Sequence, residues 1–213
     1  MLLEVKRRRD TNRLAHYAPY ARQREFHNTT SRERLLMAGN QLGKTYCGAA
    51  EAAYHATGLY PEWWEGRRFD GPTRGWAGSK TSEVTRDGVQ RYLVGDPKME
   101  SAWGQGMIPK SALASTKRRQ GVADALDNVT VRHVTGGVSS IGFKSYDQGR
   151  QKWQSETLDY VWFDEEPPMD IYMEGLTRTN ATKGITFITF TPLLGMSDVV
   201  STFLTDEAAG DSG

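Results

Sequence analysis

Short β-favouring runs alternate along this chain with stretches that read as helix, and the alternation gives the first outline of the fold. Arg34-Leu35-Leu36-Met37-Ala38 is an apolar run that stops at Gly39. The Ala-rich stretch from Lys44 to Thr57 follows, with Gly58 where a helix stop belongs, so this part predicts strand, tight loop, helix. A second such unit comes from Gly75-Trp76-Ala77-Gly78, a short strand, and Thr81-Ser82-Glu83, which can cap a helix running to about Leu93 before Gly95-Asp96-Pro97 breaks it. Val129 to Val134 and Val138 to Phe143 flank Thr135-Gly136-Gly137 and predict a hairpin. Leu158 to Phe163 and Ile185 to Phe190 predict two more strands, with a helix over Ile171 to Arg178 between them. Strands alternating with helices argue for an α/β fold: a mostly parallel central sheet flanked by helices, with one antiparallel hairpin.

Two regions resist this reading. Residues 1–30 are polar and basic with scattered aromatics and are expected to form an arm, while residues 97–127 show no clear period and are expected to be an insertion or mobile surface region. The core is expected over residues 31–205, and residues 206–213 are read as an acidic tail or the start of a linker.

Composition narrows the class. The 213 residues allow one sizeable core, with 27 Lys and Arg against 26 Asp and Glu and a mean hydropathy of -0.61. No apolar run approaches the roughly 18 residues of a membrane span, and Lys6-Arg7-Arg8-Arg9 follows rather than precedes the apolar start, which argues against a signal peptide or anchor. A single cysteine, Cys47, excludes an intramolecular disulfide framework and a Cys-cluster zinc site, and points to a reducing, cytoplasmic setting. Charge is uneven: residues 1–34 carry nine Lys and Arg against four acids, whereas beyond Lys183 only acids occur. That asymmetry fits either a polyanion near one end or an ordinary solvated face.

The strongest chemical signal is Ala38-Gly39-Asn40-Gln41-Leu42-Gly43-Lys44-Thr45, of the form [A/G]-x-x-x-x-G-K-T, placed where a strand ends and a helix begins. Small residues let the backbone curl so that its N–H groups point at a phosphate chain, and the helix adds its N-terminal dipole. The expected binding residues are Gly39, Asn40, Gln41, Leu42, Gly43, Lys44 and Thr45, with Lys44 on the terminal phosphates and the Thr45 hydroxyl on Mg²⁺. Ala38 in place of the usual first glycine makes the tight turn start from a residue with a Cβ.

A second carboxylate site is needed for hydrolysis, and Tyr160-Val161-Trp162-Phe163-Asp164-Glu165-Glu166 has that form, an apolar strand ending in acids. Asp164 is expected on the metal and Glu165 as the base that activates water, with Glu166 as its possible substitute. The plainer alternative is a buried strand running into an acidic turn before Pro167-Pro168. Tyr20-x-x-Gln23-x-x-Phe26 suggests adenine recognition, the Gln23 amide reading the base edge and Tyr20 stacking on it. An amphipathic helix burying Tyr20 and Phe26 explains the spacing equally well. No [NT]-K-x-D guanine signature occurs. Thr189 and Thr191, at and after the end of the last strand, are placed to sense the γ-phosphate.

Taken in order, the Gln motif, the Gln-Leu-Gly-Lys-Thr loop, Trp162-Phe163-Asp164-Glu165 and Thr189-Phe190-Thr191-Pro192 resemble the ATPase domain of the large terminase subunit of tailed bacteriophages over roughly residues 17–205. The resemblance implies a P-loop NTPase of the RecA/ASCE type that uses ATP and Mg²⁺ to drive double-stranded DNA into a procapsid. It implies subunits in a ring at the portal, a small terminase subunit as partner, and the host cytoplasm as location. Where some relatives carry a loop arginine this chain has Asn40, so a catalytic arginine has to come from elsewhere, with Arg118, Arg119 and Arg150 as candidates. The nuclease domain usual in the family is expected to be absent from 213 residues. A helicase-like RecA domain and a non-hydrolysing nucleotide-binding or DNA-binding scaffold are the alternatives.

Overall fold

Seven strands form one sheet in the order β1-β7-β6-β2-β5-β4-β3. In chain order they are β1 (Glu33–Met37), β2 (Arg74–Ser79), β3 (Leu113–Arg118), β4 (Leu126–Arg132), β5 (Val138–Ser145), β6 (Tyr160–Asp164) and β7 (Ile185–Phe190). The computed structural model describes residues 12–39, 42–191 and 198–203. Strands β1, β7, β6, β2 and β5 run parallel, and β4 and β3 extend the sheet antiparallel.

The parallel core follows from side-chain alternation in strands buried on both faces. Every residue of β6 and β7 is buried, so each strand feeds two cores. Tyr160, Trp162 and Phe187 face the first, with the alanines of helix α2 (Lys44–Thr57); Val161, Phe163 and Ile188 face the second, with Ile171 and Tyr172 of helix α4 (Met169–Asn180). The alanines Ala49, Ala50, Ala52, Ala53 and Ala56 are fully buried and let α2 lie close to the sheet. Gly48 goes further: a Cβ there would stand 2.4 Å from the Trp162 ring. The helix stops at Gly58, whose left-handed φ of 73° lets its N–H reach the Tyr54 carbonyl at 2.8 Å.

Between β2 and β3, helix α3 is broken in type: Ser82–Thr85 and Arg91–Leu93 are α, and Arg86–Gln90 is a π segment. Thr81 caps it through Val84 N–H. Residues 97–127 differ from the sequence expectation, because their middle enters the core: Met107 and Ile108 are fully buried and bond to the carbonyls of Tyr92 and Leu93, and Leu113–Arg118 pairs with β4. Pairing with the next strand, without an apolar period of its own, forms that strand. Residues 12–30 likewise carry more structure than an arm. Helix α1 (Ala21–Asn28) lays Phe26 and His27 onto the core, joined by Leu14 and Tyr17, while Tyr20 stays exposed. Of the two aromatics expected to bury, only Phe26 does.

A buried polar cluster ties α1, β1 and α2 together. Glu51 of α2 meets Arg34 of β1 at 2.5 Å, His27 of α1 at 2.5 Å and His55 at 3.0 Å, and all four side chains are shielded from solvent. Burial alone would raise the Glu51 pKa, but the Arg34 charge, then His55 and the hydrogen bonds from His27 and His55, hold it well below the usual carboxylate range. Among the described residues no helix is long and apolar enough to cross a membrane.

Candidate nucleotide and metal site

The loops that follow β1 and β6 open at the same end of the parallel sheet, where ligands of such folds gather. β7 lies between the two strands, and its Thr189 reaches the acid at the end of β6. Thr45, in the first turn of α2, donates its Oγ1 hydrogen to Asp164 Oδ1 at 3.0 Å, across 119 residues of sequence. Thr189 of β7 donates to the same oxygen at 2.9 Å and accepts from Trp162 Nε1 at 2.8 Å. The loop residue and the strand-end acid therefore face one another, as their motifs require.

Gly43 takes a left-handed φ of 71°, and Lys44 Nζ donates to the Gly39 carbonyl at 2.7 Å. That bond folds the lysine back over its own loop, where it is available to exchange a carbonyl for a phosphate oxygen. Gln23 packs against the other side. Its Nε2 lies 3.3 Å from both the Leu42 and Gly43 carbonyls, and its Oε1 accepts from Tyr20 N–H at 3.0 Å. In this structure the Gln23 amide, expected from the sequence to read adenine, contacts the loop carbonyls. Tyr20 lines a cavity of about 1200 Å³ together with Gln23, Phe26, Leu42 and Lys44. Asn40 and Gln41 lie outside the described residues, and Thr191 is half-buried just past β7.

Asp164 is buried, and that burial pushes its pKa up to about 7. The hydrogen bonds from Thr189 and Thr45 oppose the rise, the nearby Glu165 carboxylate adds to it, and Lys44 pulls it down. Its second oxygen faces Gly88 of the π segment in α3, where a Cβ would stand 3.7 Å away. Glu165 is half-buried with a positive φ of 67°, and its N–H donates to the Thr189 carbonyl at 2.8 Å. Glu166 is half-buried as well; burial raises its pKa, Lys80 opposes that and Asp198 adds to it.

These donors fit a hard divalent cation. One buried carboxylate and one hydroxyl form an oxygen-only set of the kind Mg²⁺ takes when phosphates and waters complete its shell. Among the described residues no group of three or more His, Cys, Asp or Glu side chains is placed to hold a metal ion.

The three candidate arginines are engaged elsewhere. Arg118 pairs with Glu100 and lies over the Trp103 ring, Arg119 donates to Ser82 Oγ and the Phe143 carbonyl, and Arg150 pairs with Glu174 at 2.7 Å. Those bonds reach neither the loop nor the acids. Sequence reasoning missed the Trp162 indole, Gly48, Gly88 and Tyr146, whose roles depend on neighbours brought from other strands; no spacing signal marks them.

Residues 35–211 match the family described as the terminase large subunit, T4likevirus-type, N-terminal. The chain is 44% identical over 223 aligned positions to the large terminase subunit of Salmonella phage P22, covering 96% of this chain and 45% of that protein. It is 28% identical over 138 positions to the large subunit of Enterobacteria phage LP7, covering 60% and 27%. The chain thus spans less than half the length of these curated relatives. Among solved structures, the large terminase ATPase domain of Thermus phage P74-26 superposes with a TM-score of 0.59 at 20% identity, over 87% of this chain and 69% of that one. The large terminase of a second, thermophilic bacteriophage gives 0.62 at 12% identity, over 90% and 44%. At those identities the two structures speak to the fold.

Proposed function

Because the chain belongs to the terminase large-subunit family, we propose that it is the part of such a subunit that hydrolyses ATP to drive DNA packaging. The observation that carries this reading is the 3.0 Å bond from Thr45 to Asp164, which joins the phosphate-binding loop to the strand-end acid. Lys44 and the N–H groups at the start of α2 bind the terminal phosphates. Asp164 and Thr45 hold Mg²⁺, which when bound neutralises phosphate charge. Glu165 orients the attacking water and takes its proton. Thr189 touches Asp164 from β7, so a change at the acid is felt by the neighbouring strand.

Within the same reading, the energy moves double-stranded DNA into a procapsid in the host cytoplasm. The subunits form a ring at the portal, and a small terminase subunit selects the DNA. The catalytic cation is an arginine, Arg118, Arg119 or Arg150, released from its present partner or supplied by a neighbouring subunit. DNA contact through Lys and Arg makes binding salt-dependent and largely blind to sequence.

The test compares two variants in equilibrium nucleotide binding and single-turnover hydrolysis with Mg²⁺ and duplex DNA. Lys44→Ala is expected to lose nucleotide binding. Glu165→Gln is expected to bind ATP like the parent and hydrolyse it at least ~100-fold more slowly. Parental turnover by Glu165→Gln would overturn the assignment of the base.

A further inference from the structure

Tyr146 follows β5 directly and opens a short 3₁₀ turn, Tyr146–Gln148. Its ring is buried between Phe163 and Trp153, with centroids 6.0 Å away in each case, and its hydroxyl points into the ends of two other strands. There Oη lies 2.7 Å from the Glu165 carbonyl, 3.1 Å from the Asp164 carbonyl and 3.4 Å from the Gly78 carbonyl. A phenol has one hydrogen to donate, and the shortest of these contacts is to Glu165.

Glu165 is where the main chain leaves strand geometry. Continued β alternation would send its side chain to the face opposite Asp164. The left-handed φ of 67° breaks that alternation, in a conformation a residue with a Cβ seldom adopts unless its surroundings impose it. Two bonds impose it here: the Glu165 N–H goes to Thr189 of β7, and its carbonyl goes to Tyr146.

Resting on the assignment of Glu165 as the base, we infer that Tyr146 is a positioning residue for hydrolysis: its hydroxyl holds the Glu165 carbonyl and so fixes the turn from which that carboxylate is presented to the nucleotide. Without the hydroxyl, the Glu165–Glu166 peptide loses its anchor and Glu165 relaxes toward ordinary backbone angles. Nucleotide binding, which depends on the loop at residues 39–45, is untouched.

The experiment is a double-mutant cycle on the 213-residue chain with Tyr146→Phe, Glu165→Gln and both together. It measures kcat and KM for Mg·ATP and the equilibrium binding of a fluorescent ATP analogue. Tyr146→Phe is expected to lower kcat at least ~10-fold, with KM and affinity within about twofold of the parent. In the Glu165→Gln background the same change should alter the residual rate less than about twofold, because the group it positions is gone. If the two losses multiply instead, Tyr146 acts through general packing and the inference fails; parental kcat in Tyr146→Phe also overturns it. Should Tyr146→Phe not fold, 4-fluorophenylalanine at position 146 fills the hydroxyl's volume without donating, and the same split is expected. Parental turnover in Glu165→Gln alone would defeat the assignment of the base, a different outcome from a slow Glu165→Gln with multiplicative losses.

Discussion

Asp164 is a carboxylate kept out of water, and Asp164→Asn measures what that costs the fold. Its pKa stands at about 7 in the folded chain against about 4 for an exposed aspartate. Between those values the folded state holds a proton that the unfolded state has released, so stability falls as pH rises, by about 1.4 kcal/mol per pH unit. Integrated from pH 5 to pH 8, this one group removes about 2–3 kcal/mol. Asparagine keeps an oxygen to accept from Thr45 and Thr189 and has no charge to bury. The assay is urea unfolding with EDTA at pH 5, 6, 7 and 8 for parent and variant, extrapolated linearly to water. His55 and His133, whose pKa values burial lowers, make stability rise with pH in both proteins and cancel in the difference. The variant should therefore gain on the parent by about 2–3 kcal/mol across the range while losing the proposed ATPase activity. A difference that stays flat within about 0.5 kcal/mol would refute the reasoning, since it would mean that Asp164 titrates like a solvated carboxylate.

Gly48→Ala forces a methyl group into the Trp162 ring, and chemical denaturation should register a loss of about 1–3 kcal/mol or more. Glu51→Gln leaves the buried Arg34 charge without its counter-ion, so the thermal midpoint should fall by an amount corresponding to about 3–5 kcal/mol. Gln23→Ala frees the Leu42 and Gly43 carbonyls; if Gln23 acts through the loop, competition binding should show ATP and GTP weakened by the same factor, whereas a selective loss of ATP would support adenine reading.

Legibility in the sequence follows the range of the interaction behind each feature. The α2 helix with its glycine stop, the strands β6 and β7 and the hairpin β4–β5 carry their signals in spacing and residue type over a few neighbouring positions. β3 is a strand because β4 offers an unpaired edge, and nothing within Leu113–Arg118 says so. Residues 12–30 pack on the core through single side chains, Leu14, Tyr17, Phe26 and His27, too sparsely to make a period.

At the site the same division holds. Lys44, Thr45, Asp164 and Glu165 were visible as residue types in order, because the phosphate and metal chemistry proposed for them admits few substitutes. Only the folded sheet decided that Thr45 and Thr189 share one Asp164 oxygen, that the Gln23 amide contacts the loop, and that Tyr146 grips the turn at Glu165. Those contacts join residues 19 to 119 positions apart where they engage the acids, and 19 or more where Gln23 meets the loop. A chain records local geometry and chemical kind in its residues, but which distant groups come to share a hydrogen bond is set by strand order and register, which exist only after the sheet has assembled.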